Sequence, residues 1–159
     1  MCSDHQLRLA MMHIHPPLSG LPLACILLLI AIEVGRLFQC ARHIAEQGRP
    51  LIVSAVVLAV ICSFLSGYHA SSNLGEISAS VEHVVATHHS AGRFLLINAL
   101  LLGTFFFLST VAIHGRRVLI SLYYTVLVAQ IGLTFWVGYI GGELVFDHGV
   151  GVSREVLEH

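Results

Sequence analysis

The residues best suited to chemistry in this 159-residue chain are its histidines, eleven in all, several of which stand where polar sequence meets apolar sequence. His15 precedes the first apolar run and His69 follows the second. His88 and His89 precede the third, and His148 follows the fourth. Neutral imidazole is a common ligand for transition metals and haem iron, so four helices that each bring one to the same level can build a metal or haem site. Glu143 and Asp147 lie beside His148 and add two oxygen donors. Ionisable groups at the depth where a helix leaves lipid are a functional-site hypothesis by default.

Those residues need a scaffold, and the composition defines its class. Apolar residues make up 56% of the chain and charged residues 11%, with a mean hydropathy of +0.83; this balance belongs to membrane proteins. The last apolar run, Val118 to Val145, exceeds the roughly 20 residues that cross a hydrocarbon core. Four spans are expected, at 18–38, 51–68, 92–113 and 118–145, within a single membrane domain covering 1–159. The fold class is therefore all-α integral membrane, a four-helix up-down-up-down transmembrane bundle. The first run is too long for a signal-peptide core and reads as a retained anchor helix. Residues 39–50 read as a loop, and 70–87 as a polar loop with a short surface helix near Glu76 to Val85.

Small residues recur at helical spacing. Gly20, Ala24, Ala31 and Gly35 mark the first span, Ala55, Ala59, Ser63 and Gly67 the second, and Gly92, Ala99 and Gly103 continue the face of His88. Such stripes let helices approach closely, and Gly138 with Gly142 is expected to do the same for the fourth span. Glu33 stands three residues before Arg36, a spacing that allows an ion pair, with a proton-handling role as the alternative. Asn98 and Gln130 are expected to hydrogen-bond between helices.

The cationic side chains other than histidine are all Arg. Arg36, Arg42, Arg49, Arg116 and Arg117 fall on one side of the expected topology, against Arg8, Arg93 and Arg154 on the other. This bias makes the first side cytoplasmic and both termini outside, which in a bacterial inner membrane is the periplasm. A net charge of −1 and the lack of a basic run argue against a nucleic-acid partner. The four cysteines show no C-x-x-C spacing. No serine stands in a recognisable triad or elbow, so no catalytic residue is assigned. The spans also lack the interrupted repeat of a transporter.

In such a bundle the diagonal pairs are His69 with His148 and His15 with His88. Either pair has the chemistry to hold a b-type haem, and His69 with His148 ranks first because small residues adjoin both. The alternative is a compact copper, iron or zinc ion held by the same tier with Glu143 or Asp147.

The His15-Pro16 pair and the stretch from Gly141 to Val152 resemble the signatures of an uncharacterised four-helix bacterial membrane family, domain of unknown function two-two-three-one. Where that family carries a second His shortly after His-Pro, this chain has Ser19-Gly20. Family members occur fused to, or encoded beside, c-type cytochrome domains, so the resemblance implies electron transfer. The expected function is thus a membrane electron-transfer subunit exchanging electrons with quinol or a periplasmic c-type cytochrome, rather than a stand-alone enzyme. The competing expectations are a non-haem metal protein and an accessory subunit packed against a larger membrane complex.

Overall fold

The computed structural model describes residues 18–71 and 78–150. They form four helices: α1 (Leu21–Gly35), α2 (Gln39–Ser71), α3 (Ala79–Val111) and α4 (Arg116–Phe146). The last three are long and apolar enough to cross a membrane, whereas α1, at 15 residues, is shorter. A rise of about 1.5 Å per residue makes α1 roughly 22 Å long and each of the others more than about 45 Å. Large apolar side chains such as Leu58, Phe94 and Val128 are exposed around the bundle, a surface consistent with lipid contact.

Two segments read as loops from the sequence are helical. Residues 39–50 extend α2 backwards through Pro50, and 79–87 extend α3. The first extension is held by tertiary contact with the end of α1. Ala45 is buried, a Cβ added at Gly35 would lie 3.8 Å from Ala45 Cβ, and one at Gly48 would lie 3.4 Å from Ile32 Cδ1. Close approach between small residues therefore outweighs the backbone hydrogen bond that Pro50 removes. Arg36 to Phe38 make the tight connection from α1, with the amides of Leu37 and Phe38 donating to the carbonyls of Val34 and Gly35. Between α3 and α4 the chain turns at Gly115, whose φ of +72° favours glycine. Gly149, at φ +63°, turns the chain after α4 so that Val150 N–H reaches the Leu144 carbonyl at 2.9 Å. Part of the terminal glycine-rich motif is thus a helix stop.

The core changes along the bundle. In one half Ile26 and Leu29 of α1, Val53 and Val56 of α2, Leu102 and Phe106 of α3, and Tyr123 and Leu127 of α4 form one buried cluster. In the other half the buried cluster is Val60, Leu95 and Ala99, flanked by Leu96, Leu133 and Val137, with no contribution from α1. The α3–α4 contact is the most extensive, and the α1–α4 contact is smaller than those of α2 with α1 and with α3. Asn98 Nδ2 donates to Gln130 Oε1 at 2.7 Å and to the Val126 carbonyl at 3.0 Å, the expected link between helices, of about 1 kcal/mol.

Only some of the small-residue stripes serve packing. A Cβ at Gly103 would approach Val57 Cγ2 to 3.1 Å and one at Gly92 would approach Phe64 to 3.8 Å, so the α3 stripe seats α2. Gly138 differs from expectation, since a Cβ there would meet nothing within 4 Å; at Gly142 it would meet only Phe146 of the same helix. Gly103→Leu is expected to destabilise the protein in detergent by about 1–3 kcal/mol through overpacking. Gly132→Leu, which enters open space, should change little. Equal thermal midpoints for the two variants would contradict this packing.

Candidate functional site

Where α1 leaves the core, a cavity of about 750 Å³ takes its place. Its wall combines the start of α1 (Ser19 to Leu23), the end of α2 (Val60 to Ser71), the early part of α3 (Val85 to Leu95) and the end of α4 (Thr134 to Phe146). The volume falls within the roughly 300–1,000 Å³ of small-molecule and cofactor sites. The lining is largely apolar, from Pro22, Val60, Phe64, Leu95, Leu144 and their neighbours, with hydroxyls that include those of Ser63, Tyr68, Thr134 and Tyr139.

Two imidazoles reach this wall, His88 and His89, both half-buried and with ring centroids 6.5 Å apart. The His88 ring lies against the backbone of α4: a Cβ added at Gly141 would stand 3.3 Å from His88 Cε1 and 3.8 Å from Nδ1. Any side chain at 141 would therefore displace that ring. Gly67, Gly92 and Gly138 line the same cavity, and a Cβ at Gly138 would enter open space. Being consecutive on α3, His88 and His89 diverge by about 100° around the helix axis and cannot hold opposite faces of one ligand.

The other expected site residues are placed differently. His69 is exposed in the last turn of α2 and His148 is exposed beyond the end of α4; neither is on the cavity wall. His15 lies outside the described residues. Glu143 and Asp147 line a groove on α4 of about 310 Å³ whose other residues, Gly138, Tyr139, Gly142 and Phe146, also line the cavity. Among the described residues no three His, Cys, Asp or Glu side chains are gathered to hold a metal ion.

The half of the bundle away from the cavity holds an ionic cluster. Glu33 accepts from Arg36 Nη1 at 2.8 Å, from Arg49 Nε, from Tyr123 OH at 2.7 Å and from Tyr124 OH at 2.9 Å. Arg36 Nη1 also donates to Tyr124 OH at 2.9 Å. The Arg49 guanidinium lies 4.7 Å from the Tyr123 ring centroid and 4.9 Å from that of Phe106, within cation–π range. One carboxylate thereby ties α1 to α2 and α4, while Arg49 reaches α3. Both oxygens of Glu33 are saturated with donors, an arrangement that clamps the helices. The expected Glu33–Arg36 pair is present. The contribution of Arg49 was hidden by reading its segment as a loop, although a lone carboxylate in an apolar span calls for a cationic partner.

Comparison of the chain with family models, curated proteins and solved structures gave no match. The fold and the cavity therefore rest on the chain's own residues.

Proposed function

We propose that this chain is an electron-transfer subunit of a bacterial cytoplasmic membrane, an up-down-up-down bundle that holds a b-type haem in the cavity beside His88. The observation that carries the reading is a cavity walled by all four helices in which an imidazole lies against a glycine backbone. His88 would supply a nitrogen ligand, Gly141 admits its ring, and Gly138 leaves open space beside a largely apolar lining. Bound there, the haem would provide a one-electron couple. The absence of a C-x-x-C pair fits non-covalent attachment. His88 takes precedence over His69 and His148 because it alone of the three lies on the cavity wall; the sequence pairs it with His15. Quinol or a periplasmic c-type cytochrome is the exchange partner.

The arginine distribution supports an orientation in which Arg36, Arg42, Arg49, Arg116 and Arg117 face the cytoplasm and the cavity and both termini face the periplasm. Reporters fused after His159 and between Ser71 and Ser78 should both signal the periplasm, and one at Arg42 the cytoplasm. A cytoplasmic signal from either of the first two would overturn the orientation. The haem reading itself is tested by acid extraction of protein purified from its native membrane. Stoichiometric extractable haem is expected; a haem-free protein carrying stoichiometric copper, iron or zinc would favour a non-haem centre, and neither would leave a packing subunit.

A further inference from the structure

Arg93 is the one fixed charge on the described cavity wall, which has two imidazoles and no Asp or Glu. Its side chain makes no ion pair among the described residues; the salt bridges there are those of Arg36 and Arg49 with Glu33. Arg93 differs in this from Arg36 and Arg49, and it stands at the start of the apolar stretch of α3, on the wall of the cavity. Arg93 is exposed as well as on the wall, so its guanidinium is within reach of an anion that enters with the ligand. Guanidinium also matches a carboxylate or phosphate with two parallel hydrogen bonds.

We infer that the cavity takes an amphiphile with an acidic arm, whose apolar body lies between the glycine-lined helices and whose carboxylate or phosphate is paired by Arg93. This rests on reading the cavity as a ligand site, and it specifies the ligand class. A haem with free propionates satisfies it, and so does a long-chain acid from the bilayer. His89, one turn above Arg93 on α3, adds a second nitrogen donor at the same end of the site.

The test uses the full chain in nanodiscs, prepared under haem limitation and titrated with two pairs of probes. One pair is iron protoporphyrin IX and its dimethyl ester; the other is a spin-labelled stearic acid and its methyl ester. The protein should bind the acid of at least one pair about tenfold or more tightly than the ester, the scale of a hydrogen bond to a charged group. Arg93→Gln should abolish that preference, whereas Arg93→Lys keeps part of it and Arg116→Gln, at the far end of α4, keeps all of it. Equal binding of acid and ester by the unaltered protein overturns the inference, as does an undiminished preference in Arg93→Gln or failure of both acids to bind. If the fatty acid alone shows the Arg93-dependent preference, the acidic-arm site stands and the haem reading falls. If haem binds without regard to its propionates and the fatty-acid pair is not discriminated either, the reverse holds.

Discussion

Glu33→Ala is expected to lower stability in detergent by about 3–5 kcal/mol, the loss seen when one partner is removed from a buried ion pair. The Glu33 and Arg49 side chains are only 10% and 16% exposed, so little water is available to replace the lost partner. Removing the carboxylate leaves Arg36, Arg49 and the hydroxyls of Tyr123 and Tyr124 without their shared acceptor, in the half of the bundle where α1 is anchored to α4. Glu33→Ala combined with Arg49→Ala should cost less than the sum of the single changes, because the second substitution removes a cation the first has stranded. Chemical or thermal unfolding of the three variants measures this coupling. Additive effects would mean that Glu33 and Arg49 act independently and that the clamp is not the contact holding α1.

His88→Ala is expected to abolish haem retention while leaving the helical fold intact. The side chain is half-buried on the cavity wall, contributes nothing to either buried apolar cluster, and projects across Gly141. Its removal enlarges a cavity that already exists. Gly141→Leu should have the same spectral effect by the opposite route, since its side chain must occupy the space of the His88 ring. His69→Ala and His148→Ala, both at exposed positions away from the wall, should retain haem. A reversed pattern, with loss on altering His69 or His148 and retention in His88→Ala, would move the site to the pair that the sequence ranks first.

The all-helical class and the three long apolar helices were legible because hydropathy over some twenty residues is a strong signal. Glu33–Arg36 and Asn98–Gln130 were legible as well, the first from spacing and the second because a polar amide in an apolar span needs a partner. What spacing could not supply was the length of α2 and α3. Pro50 and the polar stretch before His88 mark boundaries in sequence terms, yet contacts of Gly35, Ala45 and Gly48 carry α2 through the first of them. That extension is what brings Arg49 to Glu33. The roles of Gly103 and Gly141 are equally invisible along the chain: both are glycines on apolar helices, but one meets Val57 and the other an imidazole. A helical stripe tells which residues share a face, and only the neighbouring helix decides whether that face is filled by a side chain or left as a cavity.

The measurement that bears most directly on the central claim is the dithionite-reduced minus oxidised visible spectrum of protein taken from its native membrane, recorded beside His88→Ala, His69→Ala and His148→Ala. The account predicts sharp α and Soret bands in the unaltered protein, their loss in His88→Ala, and their persistence in the other two. A native protein without those bands, or bands undiminished in His88→Ala, would contradict it.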